Sequence, residues 1–572
     1  MVESKLSPIP ILITAMVAVV LLSSFGITQV RKTLVVPDGF GNAARATAKI
    51  NSESFFLPVR KKGGELHVNL LALSYYPKYL YLHWTGGKNI ARPSEYYLIG
   101  RLLSMVCGLL GLYGVFRLSG TIFSRTSAAL ASLMLSVSFG YVFHARAATE
   151  DILLTCFVVL SLYCLTRYKQ SDNPLDVALT GVFTGLATSA KASGLLLLIP
   201  VGWLLLQSSF HPGSEDDALI AKQIDAVELL RRGSLILGAT SVAYLVTTPD
   251  ILVYPLESLR HFIQEAISRW KSRGFSAEYS GPLLAQYYLA RSMGLPLYLL
   301  SLVSLGYLIV TDKGRNQLGK LLPVFLFLVP YFAMVSSWNN FGAWAVLPTL
   351  PLLLIVTGHC TMSWLKRENV RAIGKVCLVG VIVFTAGYTL VGMNTLRKDS
   401  RLRATKWIQR KIPPGSTVDA YSWSLYLPEF PDSITVRAVN LNNGPTRVWP
   451  VIPERIRKTQ PDFIILSSAQ YDRYFNDPDR YPQVTRTFRA LIHGKTPYKV
   501  VKVFGPGVDL RQELLEGIKE TIQPKSFHPV NPTIVILAQP GFTARQALAT
   551  GPPELKEELT QIVPRRNRRP SG

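Results

Sequence analysis

Apolar runs of about twenty residues constrain this chain more than any other feature. "IPILITAMVAVVLLSSFGI" (9–27) and "VCLVGVIVFTAGYTLVGM" (376–393) each match the length of a helix crossing the hydrocarbon core of a bilayer. Backbone polar groups in lipid must be bonded within the segment, so such runs are read as helices. A mean hydropathy of +0.24 with only 17% charged residues argues against a soluble enzyme. The sequence predicts an all-α polytopic membrane bundle. About eleven transmembrane helices are expected, near 9–29, 95–116, 122–142, 149–167, 174–190, 193–209, 233–249, 290–310, 319–337, 342–360 and 373–393. The first run is read as a retained helix, because its basic flank is weak and no A-x-A site follows. Segments 122–142 and 174–190 are rich in Ser, Thr and Gly, which predicts close packing against other helices rather than lipid.

The net charge of +25 raises nucleic acid as a partner, but no nucleic-acid motif accompanies it. The basic residues instead fall in short loops: "RLSGTIFSR", "RYKQSDN", "RR" at 231–232, "TDKGRNQLGK" and "WLKRENVRAIGK". If the N-terminus is cytoplasmic, all of these lie inside, as the positive-inside rule requires, and they also meet anionic headgroups. The expected location is the cell inner (plasma) membrane, multi-pass, with membrane lipid as a partner. An odd number of spans places the C-terminus outside. A membrane domain over 1–395, with an extracytoplasmic first loop near 30–94, is then followed by a soluble domain over 396–560. "RATKWIQRKIPPGSTVDAY", "PDFIILSSAQYDRYF", "YKVVKVFGP" and "PTIVILAQP" predict a small α/β or α+β unit there. The basic tail 561–572 is expected to be disordered. All five cysteines lie in apolar segments without metal spacing and read as small core residues.

Ionisable residues that look out of place gather on the expected outer face. In "FHARAATEDILLTCFVVLSLY", Glu150 and Asp151 abut an apolar run. Two acids there are explained by a helix start, where negative charge meets the positive end of the helix dipole. They also suit a catalytic, acceptor-binding or metal site. Oxygen ligands would favour Mg²⁺ or Mn²⁺ as a possible divalent cation, with His144 as a further ligand. Asp38, in "VVPDGFGNAARATAKI", either starts a helix over Asn42–Ile50 or takes a proton at the membrane boundary. Arg101 stands early in a span, where a charge is costly unless paired or near the interface. Lys191 lies between two spans, and "SYYPKYLYLHW" in the first loop is an amphipathic, interfacial pattern that includes Tyr76.

The order of these pieces resembles a family. An acid after the first span, the Tyr/Pro patch, Arg101, "ARAATEDILLTCFVVLSLY" and "TGLATSAKASGLLLLIPV" recur in this order in the C-type glycosyltransferase superfamily. The chain looks most like bacterial relatives of the protein O-mannosyltransferases and the lipid A aminoarabinose transferase, over residues 9 to 395. The resemblance implies an integral-membrane glycosyltransferase acting on the outer face. It would move a hexose or pentose from a polyprenyl-phosphate (dolichyl-phosphate-type) carrier to an acceptor hydroxyl of a glycan, lipid or protein. By match, Asp38 is the first-loop catalytic residue, Asp151 with Glu150 the second acidic site, and Lys191 lies near the carrier phosphate. Arg101, Arg146 and Arg291 are further candidate cations, and Tyr76 a substrate contact. The expected chemistry is an inverting single displacement with one carboxylate base and cations on the leaving phosphate.

Two departures stand out. Gly39 follows Asp38 where relatives commonly carry a second acid, and Trp344 stands in "WAVLPTLP" where an arginine is expected. Other readings are a non-enzymatic polyprenyl-lipid binder or transporter, with the acids lining a path, and a degenerate transferase acting as scaffold. The loop 247–294 has the make-up of a lid over a carrier site, with an amphipathic helix over Leu256–Trp270, and equally that of an ordinary outer loop.

Overall fold

The computed structural model describes residues 8–24, 37–52, 66–85, 93–208, 226–271, 281–339, 341–397, 399–422, 424–439, 451–475, 478–479, 481–505 and 532–539. The described residues divide into two compact units, one up to Arg397 and the other beyond it.

The first unit is helical. Its elements are α1 (Pro8–Ser24), α2 (Pro37–Asn51), α3 (Leu66–Trp84), α4 (Pro93–Ile122), α5 (Arg125–Ser136), α6 (Phe139–His144), α7 (Glu150–Ser171), α8 (Pro174–Ala190) and α9 (Leu198–Ser208). There follow α10 (Ala226–Thr247), α11 (Asp250–Val253), α12 (Pro255–Lys271), α13 (Gly281–Met293), α14 (Leu295–Val310), α15 (Asp312–Ser336), α16 (Thr349–Leu365) and α17 (Glu368–Arg397). Among the described residues five helices are long and apolar enough to cross a membrane: Glu95–Ile122, Glu150–Ser171, Leu229–Thr247, Gly314–Ser336 and Glu368–Asn394. Counting α13 and α14 as one broken span makes six.

Several expected spans are interrupted. The run 290–310 bends by 119° at Gly294, whose φ of 80° favours a residue without Cβ. The run 122–142 is split into α5 and α6, and 3-10 turns at Ala192–Leu197 and Ala343–Val346 precede α9 and α16. The helix expected over Asn42–Ile50 is longer, starting at Pro37, where a proline suits the first turn. The amphipathic segment expected over Leu256–Trp270 is α12, and Tyr76 lies on α3. Cys377 departs from the reading of the cysteines as core residues, since it is exposed on α17 while the other four are buried.

Small residues set the packing, as expected for 174–190. On α8, a Cβ at Gly181 would lie 2.6 Å from the Ile236 carbonyl oxygen, and one at Gly185 would lie 2.4 Å from that of Thr240. This G-x-x-x-G face lets α8 and α10 meet backbone to backbone, the close approach that drives helix pairing in lipid. On α4, Gly108, Gly111 and Gly114 make room for the side chains of Ala145, Tyr141 and Val159.

The second unit begins with α18 (Ser400–Lys411) and carries a five-stranded sheet. Its strands are β1 (Thr417–Tyr421), β2 (Thr435–Val439), β3 (Phe463–Ser467), β4 (Lys499–Phe504) and β5 (Ile534–Ala538), in the order β2-β1-β3-β5-β4. β2, β1 and β3 run parallel, whereas β5 pairs antiparallel with β3 and β4. Ala404 and Ile408 of α18 cover one face against Val418, Ala420 and Ile465. Val484, Phe488 and Leu491 of the helix Pro482–Ile492 cover the other, against Ile464 and Leu466. This alternation along β3 is the period-two pattern that "FIILS" cannot display by itself, because both of its faces are buried.

Candidate active site

The loop Ala145–Thr149 feeds the acids into α7, and its shape is built by its neighbours. A Cβ on Gly108 would lie 2.9 Å from the Ala145 Cβ, and one on Gly100 would lie 3.3 Å from that of Ala148. The loop therefore lies directly on α4. Ala148 takes the left-handed φ of 53°, which costs a non-glycine residue about 1 kcal/mol. Two hydrogen bonds hold it there. Tyr97 Oη donates to the Ala147 carbonyl (3.0 Å), and His67 Nε2 donates to that of Ala148 (2.8 Å). Because a carbonyl only accepts, His67 must carry its proton on Nε2.

The chain then enters α7 with Thr149 extended and making no side-chain cap. Glu150 and Asp151 occupy the first turn, where the helix end favours them. The bland reading of a cap does not account for their partners. Glu150 Oε2 accepts from Asn42 Nδ2 (2.8 Å), and its Oε1 lies 3.8 Å from Lys191 Nζ. Asp151 Oδ1 accepts from Lys191 Nζ, and Asp151 Oδ2 lies 3.7 Å from His144 Nδ1. Asp151 is buried, whereas the Glu150 and Lys191 side chains keep 26% and 23% of their surface exposed. The cluster is thus reachable.

Lys191 reaches it from a sharp break. It ends α8 in extended conformation, and its carbonyl accepts from the Gly194 N–H (2.8 Å). A Cβ on Gly194 would lie 2.4 Å from the Ala187 carbonyl carbon, so only glycine allows the chain to fold back so tightly. The ammonium also lies 4.0 Å from the centre of the Trp344 ring.

Burial pushes His144 down to about 4, against the opposing pull of Asp151, and it also lowers His67. Both imidazoles are neutral near pH 7. Arg101 is buried with its guanidinium 4.8 Å over the Tyr97 ring. Burial, then the Arg101 charge, brings Arg146 down to about 10, so it stays charged at neutral pH. Arg101 and Arg146 thus set two positive charges close to one another.

The structure therefore brings together Glu150, Asp151, Lys191 and His144, with Arg101 and Arg146 as a neighbouring like-charged couple. Asp38 lies in the first turn of α2, one helical turn before Asn42, while its side chain falls outside the described residues. Tyr76 and Arg291 have other surroundings. Tyr76 is exposed and stacks on Tyr79 at 6.2 Å, and Arg291 lies 5.3 Å over the Tyr287 ring. Among the described residues no group of three or more His, Cys, Asp or Glu is arranged to hold a metal ion. Sequence reasoning missed Asn42, His67 and Tyr97. The only available signal was their polarity within otherwise apolar or small-residue helices.

Residues 97–212, which contain this loop, the acid pair and Lys191, match the family model described as dolichyl-phosphate-mannose-protein mannosyltransferase. No curated protein matches by sequence. Among solved structures, the apo oligosaccharyltransferase from Archaeoglobus fulgidus is similar with a TM-score of 0.51 at 11% identity, over 91% of this chain and 76% of that one. The oligosaccharyltransferase AglB from Archaeoglobus fulgidus, in complex with an inhibitory peptide and a dolichol-phosphate, gives 0.50 at 9% identity, over 88% and 74%. ArnT from Cupriavidus metallidurans bound to undecaprenyl phosphate gives 0.49 at 16% identity, over 92% and 97%. The segment that carries the site is thus similar to the mannosyltransferase family, and the fold is similar to that of the oligosaccharyltransferases.

Proposed function

We propose that the protein is an integral-membrane glycosyltransferase that moves a sugar from a polyprenyl-phosphate carrier to an acceptor hydroxyl on the outer face of the membrane. The observation that carries this reading is the paired acid Glu150–Asp151, held by Lys191 at the head of α7 inside the mannosyltransferase-like segment. The family description names a dolichyl-phosphate sugar, and the AglB structure holds a dolichol-phosphate, which supports a carrier of this class here. The reading includes about eleven crossings, a cytoplasmic N-terminus and an extracytoplasmic second unit.

In the reaction, the acceptor oxygen bonds to the anomeric carbon as the bond from that carbon to the carrier phosphate breaks. The hydroxyl proton passes to a carboxylate, with Asp38 proposed as that base. Asn42, one turn on from Asp38, is tied to Glu150, so the start of α2 and the start of α7 belong to one site. The carrier phosphate is a good leaving group and needs charge compensation more than protonation. Arg101 and Arg146 supply it, while Lys191 is bound to Asp151. Mg²⁺ or Mn²⁺ at Glu150 and Asp151 would share their oxygens with Lys191, and no step above depends on it.

The test uses purified protein in nanodiscs, supplied with radiolabelled polyprenyl-phosphate sugars and a panel of hydroxyl acceptors. Release of free carrier phosphate together with labelled product supports the transferase. Donor binding without release across the whole panel would favour a non-enzymatic carrier binder.

A further inference from the structure

Trp344 stands where a second cation was expected, and its indole meets Lys191 instead. It lies in the 3-10 turn Ala343–Val346 and is seated on Gly342, where a Cβ would lie 2.8 Å from the indole Nε1. Trp338 tilts against it with ring centres 6.4 Å apart. The Lys191 ammonium thus faces Asp151, Glu150 and an aromatic face 4.0 Å away, well within the range of cation–π attraction.

We infer that Trp344 is a positioning residue: its indole face keeps the Lys191 ammonium on Asp151 and Glu150 through the reaction. An aromatic face attracts a cation without bringing a charge of its own. Lys191 thus stays against both carboxylates. An arginine at 344 would set a second positive charge against Lys191 and push it away, and a branched aliphatic residue would let the long lysine stem swing. With Lys191 held at the acids, the departing phosphate is left to Arg101 and Arg146. This inference rests on the transferase reading for its catalytic consequence but not for the contact itself.

The test compares wild type, Trp344→Phe, Trp344→Leu, Trp344→Met and Trp344→Arg as full chains in nanodiscs. The first readout is independent of activity: the rate at which an amine-acylating reagent modifies Lys191, followed by peptide mass spectrometry. Loss of the aromatic face in the Leu, Met and Arg variants should raise that rate about tenfold, whereas Phe should stay within about twofold of wild type. The Met variant keeps much of the side-chain volume, so it separates lost packing from the lost aromatic face. The second readout is transfer kinetics. Trp344→Leu should lower kcat about tenfold with the donor KM within about twofold, and Trp344→Phe should rescue most of kcat. Unchanged Lys191 acylation in both the Leu and Met variants would overturn the inference, as would a Trp344→Arg variant with kcat above wild type. If wild type transfers sugar from no polyprenyl-phosphate donor, the transferase reading fails while the acylation rates still decide the contact.

Discussion

Each unit of the molecule contains a buried carboxylate tied to a cation, and the two are built for opposite ends. In the second unit, Arg401 and Asp399 are closed off, with 0% and 2% of their side-chain surface exposed. Asp399 caps α18 by accepting from the Arg401 N–H (2.8 Å) and takes two guanidinium hydrogen bonds, at 3.0 and 2.6 Å. The remaining reach of Arg401 goes to the Leu425 carbonyl. The charges match one to one. At the head of α7, Lys191 meets both carboxylates, a buried histidine is neutral, and Glu150 and Lys191 stay a quarter exposed. Sealed, paired charge organises a fold, whereas reachable charge is what a reactive site needs.

Breaking each pair should therefore give different failures. Asp151→Asn should lower transfer about a thousandfold while the protein keeps its fold and its donor binding, measured by carrier-phosphate release beside equilibrium binding. Arg401→Met should do the reverse. It strands the buried Asp399 carboxylate, costs the second unit about 3–5 kcal/mol, and leaves the transfer rate per folded molecule near wild type, measured by chemical denaturation with active-site titration. The double change Asp399→Asn with Arg401→Met should recover much of that loss.

Titration sharpens the contrast further. His144 has a folded pKa near 4 against about 6.5 unfolded, so the unfolded chain binds the proton first as pH falls. Its contribution is fully present above about 6.5 and is lost progressively as pH drops toward 4, by up to about 3 kcal/mol. His144→Gln should flatten the low-pH fall in thermal stability relative to wild type. In the second unit, burial raises Asp472 to about 7, the opposite case. Folding favours its protonated form, so stability is greatest below the unfolded pKa near 3.8 and declines as pH rises through 7. Asp472→Asn should remove about 1–2 kcal/mol of that decline, read from hydrogen exchange in β3 and β5 between pH 5 and 8.

Much of this was legible from residues alone, and what was missed has a physical reason. Spans with uniform apolar sequence, such as α4, α7 and α17, announce themselves by length. The breaks at Gly294, at 137–138 and at Lys191–Gly194 do not, because a glycine or serine in an apolar run reads equally as packing or as a hinge. In the second unit "FIILS" and "TIVIL" were readable as strands, but β2, "TVRAV", lies on the sheet edge with too short a pattern. At the site, Glu150, Asp151 and Lys191 stood out because charge beside an apolar run is costly. Asn42 and His67 did not, since their meaning comes from partners 108 and 81 residues away. Trp344 was visible only as a missing arginine, and its partner on another element gives it a role.

The most direct test of the central claim, that the acid pair at the head of α7 is part of the transfer site, is a paired measurement on wild type and Asp151→Asn in nanodiscs. Binding of a radiolabelled polyprenyl-phosphate sugar and release of its carrier phosphate would be followed on the same samples with acceptor present. The account predicts equal donor binding and a release rate about a thousandfold lower in the variant. Release at the wild-type rate by Asp151→Asn would contradict it.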